Sequence, residues 1–287
     1  MLGFSTGRVK WTLYDRPSYT QDPAQNPELS GVGKYAAFTN LAGIESDWPL
    51  GEALKITLGY EMSDYTTTET SSRASSLSQD HVSHSFRLSS PYQLNPATQA
   101  GMSTSVTVTQ YQNQSTQDST AFSVGPFVKA QLTAVSTAYL TGGLQNVSNA
   151  GGGPGNGSTT SDNGFYGEAI ISNRPNSRFS HQLDLGRETQ LGTISNTVTD
   201  DYVRYSATLG LGPTVSLNGN AFVDHGQEMG GLVGETFNQY GGGLSLGLPL
   251  ARTINLTVGC QWTQKDSNIA GRSYSQFRIN AGLSWTF

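Results

Sequence analysis

The chain has 287 residues, of which 35% are apolar and only 13% charged, while 34 are glycine. That balance suits neither a water-soluble helical domain nor a bundle of membrane helices, and no apolar run approaches the about 18 residues that a spanning helix needs. A net charge of −5 with a pI near 5.3 leaves no stripe of Lys and Arg to neutralise phosphates, which argues against nucleic acid as a partner.

Ser, Thr, Asn, Gln and Gly fill the chain instead, in alternation with aliphatic and aromatic residues. Thirteen Tyr, 11 Phe and 4 Trp in regular phase separate it from a disordered Ser/Gly-rich segment. The start, M-L-G-F-S-T-G-R-V-K, has no basic segment followed by an apolar stretch, so a mature form with an added Met is expected. Val9, Trp11 and Leu13 against Arg8, Lys10 and Thr12 then give the first strand of period two. A second strand near Tyr35 to Ile44 has ambiguous phase. Leu54, Ile56, Leu58, Tyr60 and Met62 oppose Lys55, Thr57, Gly59, Glu61 and Ser63; Val82, His84, Phe86 and Leu88 oppose Ser83, Ser85, Arg87 and Ser89.

Met102, Val106 and Val108 continue the series, and so do Phe122, Val124, Pro126 and Val128 against Ser123, Gly125, Phe127 and Lys129. Pro126 removes a ladder donor and predicts a local bulge. Strands near Ala134 to Gln145 and Phe165 to Ser172 are again ambiguous in phase. Phe179, Leu183 and Leu185 oppose Gln182, Asp184 and Gly186, and four further strands follow, led by Val203, Val215, Tyr240 and Ile254. The last runs from Ser273 to Phe287: Ser275, Phe277, Ile279, Ala281, Leu283, Trp285 and Phe287 on one face, Gln276, Arg278, Asn280, Gly282, Ser284 and Thr286 on the other. The tally is about fourteen strands, within the range of membrane barrels.

Connections alternate in length. The stretches Trp48 to Ala53, Ser90 to Gln99, the Leu132 region, Arg174 to Arg178, Gly212 to Thr214 and Pro249 to Thr253 read as short turns. Arg16 to Val32, Asp64 to Asp80, Tyr111 to Asp118, Asn146 to Asn163, Arg187 to Asp201, Gly226 to Glu235 and Lys265 to Ser273 read as longer polar loops, and Asn149 to Thr160 carries a G-G-G-P-G-N-G-S core. Short turns on one side and long loops on the other are the habit of outer-membrane barrels. A soluble propeller or β-helix would repeat strands without this alternation.

The closing strand, with its terminal Phe287 after alternating aromatics, resembles that of bacterial outer-membrane β-barrels. More loosely, Tyr- and Gly-rich strands with turns such as Q-L-N-P-A-T at Gln93 to Thr98 resemble barrels found in exopolysaccharide operons. The first resemblance implies an all-β, closed, antiparallel up-and-down transmembrane barrel: one domain over 1–287, both termini periplasmic, placed in the outer membrane by a barrel-assembly machinery that reads Trp285 and Phe287. The function expected is a porin-like channel for small polar solutes or ions. An envelope or polysaccharide-secretion component, with an envelope-complex partner, is the alternative, as is a surface-binding scaffold. Homo-oligomers paired through lipid faces stay open.

By the parity above, the inner wall carries Arg8, Lys10, Lys55, Glu61, Arg87, Lys129, Glu168, Asp184, Glu188, Arg204, Asp224 and Arg278. Mixed signs of this kind suit passage and a transverse field, or simple pairing in a wet interior. Trp11, Tyr14, Trp48, Tyr60, Tyr111, Trp262, Trp285 and Phe287 are expected at the two membrane interfaces. No catalytic, metal or cofactor set is expected: His81 and His84 fall on opposite faces, the pair Asp224 and His225 is a chance adjacency, and Cys260 is single.

Overall fold

In the computed structural model the described residues are 1–20, 35–70, 80–112, 118–149, 160–191, 197–212, 214–229, 234–251 and 253–285. Every regular element among them is a strand: β1 (Leu2–Thr6), β2 (Val9–Thr20), β3 (Tyr35–Leu50), β4 (Leu54–Thr70), β5 (His81–Ser89), β6 (Tyr92–Asn95), β7 (Thr98–Tyr111) and β8 (Ser119–Thr133) in the first half. The second half holds β9 (Ser136–Asn149), β10 (Thr160–Asn173), β11 (Phe179–Leu191), β12 (Thr197–Gly210), β13 (Ser216–Met229), β14 (Thr236–Ala251), β15 (Ile254–Ser267) and β16 (Tyr274–Trp285). They form one antiparallel sheet in which each strand pairs with the next along the chain, except that β5 pairs with β7 and the short β6 sits between β4 and β7 beyond the end of β5.

The fourteen expected strands are all present, and two short ones join them. β1 folds back on β2 through a turn at Gly7, whose φ of 62° favours glycine, and pairs Leu2 with Leu13. The first residues therefore lie on the wall and not at the short-turn end, where both termini were expected. β6 continues β5 past Pro91, so the turn expected over Ser90 to Gln99 shrinks to residues 96–97. Among the described residues the ladder ends at β1 on one side and β16 on the other, with no pairing between those two.

Register sorts the side chains into two faces. Tyr205, Ala221, Gly242, Trp262 and Phe277 stand side by side on β12 to β16, and three residues along each strand Tyr202, Asp224, Gln239, Lys265 and Tyr274 stand on the opposite face. Residues far apart along the sheet on this second face, such as Tyr14 of β2 and Tyr166 of β10, line one cavity. The sheet is therefore curled with its polar face inside.

Burial is inverted relative to a protein folded in water. Phe277, Ile279 and Leu283 are 65%, 73% and 70% exposed on the outer face. Tyr111, Val147, Val198, Tyr202 and Phe237 are buried on the inner one, toward the long-loop end. An apolar surface of this extent is unfavourable in water and natural in lipid. No helix among the described residues is long and apolar enough to cross a membrane.

Most strands outrun their apolar patterns. β2 reaches Thr20, β4 reaches Thr70, β9 reaches Asn149 and β11 reaches Leu191, all inside stretches expected to be loops. Backbone pairing continues after lipid contact ends, so hydropathy does not mark the strand end. The Gly-rich core of Asn149 to Thr160 and Phe287 lie outside the described residues. Pro126 pairs with Met102 on β7 without a register shift, whereas the ladder to β9 passes from Val124 to Phe127. The bulge expected at Pro126 is absent: the register to β9 is the same on either side of it, and the pairing only skips the positions opposite Gly142 and Gly143, where Pro126 has no N–H to give.

The two faces should tolerate charge very differently. Ile279→Lys is expected to lower the unfolding free energy by about 2–4 kcal/mol in reversible urea unfolding from vesicles, while Gln276→Lys on the inner face changes it by less than about 1 kcal/mol. Equal losses at both positions would show that the faces are assigned wrongly.

Candidate functional site on the inner wall

On the first strands the inner wall is a set of short ion pairs braced by hydroxyls. Tyr14 donates to Glu61 Oε2 at 2.8 Å, and Arg87 reaches Glu61 Oε1 at 3.0 Å. Gly43 lies in register with both Tyr14 and Glu61, and a side chain there would collide with the Tyr14 ring. Lys55 meets Asp47 Oδ1 at 3.0 Å, and Thr57 donates to the same oxygen at 2.6 Å. Hydroxyl pairs continue the wall through Ser85 and Thr107 at 2.8 Å, then Ser105 and Ser123 at 2.7 Å.

The opposite stretch, β10 to β13, is acidic. Glu168, Asp184, Glu188, Asp200 and Asp224 surround one cation, Arg204, which lies 3.7 Å from Asp200, 3.6 Å from Asp224 and 4.0 Å from Glu188. Its guanidinium carbon stacks 4.0 Å from the centre of the Tyr202 ring, and Tyr202 donates to Glu168 at 3.3 Å. One delocalised cation can serve several carboxylates because it presents five donors in a plane. It leaves this part of the wall negative.

A third group closes the inner face near the long-loop end. Lys265 and Glu235, both with fully buried side chains, meet at 2.7 Å, while Arg272 from the β15–β16 connection reaches Glu235 at 2.5 Å and Glu228 at 3.4 Å. The Lys265 ammonium also sits 4.4 Å above the Phe237 ring, which lies against Gly226. Burial by itself would push the Glu235 carboxyl up, but the bonds it accepts from Lys265, Ser267 and Arg272 outweigh burial and hold it below the usual carboxylate range.

The expected wall residues divide by strand. Glu61 joins Arg87, and Lys55 finds Asp47 in place of a residue across the lumen. Glu168, Asp184, Glu188, Arg204 and Asp224 converge on one patch. Arg278 donates to Gln261 Oε1 at 2.7 Å, whereas Lys10 and Lys129 are exposed on β2 and β8. Arg8 is displaced: the fold-back of β1 puts it in the turn after Gly7, off the wall.

Sequence reading missed several members. Asp47 and Glu45 sit on β3, whose phase was ambiguous, and their place opposite Lys10 and Thr12 emerges from pairing alone. Asp200, Glu228, Glu235 and Arg272 fell in stretches expected to be loops. Only the mixed charge of those stretches could have marked them. Of the aromatics, Trp11 and Trp48 pack edge to face at 6.2 Å near the short-turn end, and Trp262 lies outward against Tyr240 at 5.6 Å. Tyr14 and Tyr111 turn inward instead, Tyr14 to bond Glu61 and Tyr111 to pack on His81 at 5.0 Å. Trp285 ends β16.

No family model matches the sequence, and no curated protein is significantly similar to it. Among solved structures, the chain is similar to the FrpB iron transporter from Neisseria meningitidis (F5-1 variant), with a TM-score of 0.60 and 9% identity over 99% of this chain and 57% of that one. It is also similar to the copper transporter OprC, at 0.55 and 8% over 99% and 57%, and to the siderophore receptor PiuA from Acinetobacter baumannii, at 0.50 and 12% over 93% and 56%. The chain spans little more than half the length of these structures. At such identities the likeness is one of fold, and the fold is that of outer-membrane β-barrels.

Removing one partner from the rim group should expose its strength. Lys265→Met would leave the buried Glu235 carboxylate with Arg272 as its cation and without one charged hydrogen bond, and is expected to cost about 1.5–3 kcal/mol near neutral pH in urea unfolding. Because the Glu235 pKa is depressed in the folded state, its contribution is present above the unfolded value of about 4.3 and fades as pH falls through the folded one. The cost of Lys265→Met should shrink over that acid range; an unchanged cost would mean the pair does not act through charge.

Proposed function

We propose that the chain is an outer-membrane channel through which small polar solutes and ions pass along the inner wall. The observation that carries this reading is the two-faced sheet: aliphatic and aromatic side chains exposed outside, charged and amide side chains lining cavities inside. A lipid-facing sheet with a polar interior is the arrangement by which a barrel moves hydrophilic cargo past hydrocarbon. The transporter and receptor names of its structural neighbours point toward passage across the same membrane. Short turns then face the periplasm and long loops the outside.

The charge on β10 to β13 gives the channel a sign. Five carboxylates against Arg204 favour cations over anions near that wall, as rings of Asp and Glu do in cation channels. Purified protein in a planar bilayer is expected to show steady conductance, with a reversal potential of cation-selective sign in a KCl gradient. Replacing Glu168 and Glu188 together by Gln should move that potential toward zero. A barrel that stays closed at every voltage sinks the channel reading, and a potential indifferent to the double change sinks the assignment of this wall.

A further inference from the structure

A cavity of about 480 Å3 on the inner wall, spanning β11 to β16, lies within the usual size of small-molecule sites. Its floor is thinned by two glycines of β14. A Cβ at Gly241 would stand 2.9 Å from the Phe222 ring, and one at Gly243 would stand 2.7 Å from Asn220 Oδ1. Glycine at both positions lets the ring and the amide lie against the wall and leaves space above them. The amides of Gln182, Gln239, Gln261 and Gln276 border that space.

The charges at its edges are separated. On β11 and β13, Asp184 Oδ1 and Asp224 Oδ1 are shut from solvent yet accept no hydrogen bond among the described residues. Asp224 is only 8% exposed, and Arg204 Nε, 3.6 Å from its Oδ1, is beyond hydrogen-bond length. Buried acceptors are normally satisfied, so both carboxylates, which line the cavity, gain by turning an oxygen into it toward a donor brought by a ligand. At the far side, Arg278 of β16 lines the same cavity. Arg204 is shared with Glu188 and Asp200, so the side of Asp184 and Asp224 is a negative pole, and Arg278 at the far side is a positive one.

We propose that this cavity binds a short zwitterionic peptide: its ammonium donates to Asp184 and Asp224, its carboxylate meets Arg278, and the glutamine amides accompany its backbone. Phe222 supplies an apolar face for a side chain. From β13 to β16 are three strand steps, about 14 Å across the strands, and Arg278 stands four residues along β16 from Tyr274, which is level with Asp224, about 13 Å more; the two backbones are about 19 Å apart along the wall, and the inward reach of both side chains narrows that gap. An extended chain covers about 3.3–3.6 Å per residue, so three or four residues bridge the poles and a single amino acid does not. The proposal rests on the channel reading for access to the site, although binding is measured apart from conduction.

Trialanine, its N-acetylated form, its C-amidated form, alanine and glucose are titrated calorimetrically into the full chain in detergent micelles. Trialanine is expected to bind, with each blocked end weakening it about tenfold or more. Asp224→Asn should erase the difference between trialanine and the acetylated form, and Arg278→Gln the difference from the amidated form, while Arg278→Lys restores part of it. Retained mobility of the unheated barrel on electrophoresis shows that each variant folds, and Asp184→Asn replaces Asp224→Asn if that variant does not. Equal binding of trialanine, its blocked forms and glucose would overturn the proposal, as would no binding by any. Peptide binding by a barrel that does not conduct supports the site and removes the channel reading; conduction without peptide binding removes the site alone.

Discussion

Most of this molecule follows from the cost of leaving a backbone N–H or C=O unpaired against hydrocarbon, although β1 and β16 do not pair with each other among the described residues. In lipid each such group costs several kcal/mol, which leaves a helix or a curled sheet as the available forms. A chain with 34 glycines and few long apolar runs cannot take the helix, so the sheet must do all of it. Each strand from β2 to β15 accordingly has a neighbour on both sides. Even the break at Pro91 is mended, since Lys55 N–H donates to Pro91 O and Ser90 N–H to Met102 O.

Once the ladder is obligatory, side chains become free to differ between faces, and the inner wall uses that freedom. Close approach decides the details. Gly43 admits the Tyr14 ring beside Glu61, and Gly241 admits Phe222, so the wall is shaped as much by omitted side chains as by those present. Charge is distributed unevenly around it: compact pairs on β3 to β5, one guanidinium among carboxylates on β10 to β13, and a mostly buried group of two cations and two carboxylates at the long-loop end. The first and last stiffen the structure. The middle group, at 3.6–4.0 Å, is the one least held by its own contacts.

The architecture was largely legible because lipid writes period two into every strand it touches. Phe277, Ile279 and Leu283 announced their face without any partner. Where lipid contact ends the signal ends too, so Asp200 and Glu228 read as loop although they pair in β12 and β13. β3 was opaque for another reason: Ala36, Ala37, Gly43 and Glu45 alternate too little in polarity to reveal their side, and only pairing with β2 sets it. β1 and β6 were too short to show a period. The inner patches depended on register across several strands, which no single stretch of sequence contains.

The alternation that divides the two faces also governs the chain before it folds. Averaged along its length, the sequence is mildly polar, with a mean hydropathy of −0.37. No segment is oily enough to be drawn into a bilayer by itself, so the unfolded polymer can cross an aqueous compartment in solution. Pairing then gathers the separate two-faced strands into one continuous apolar surface.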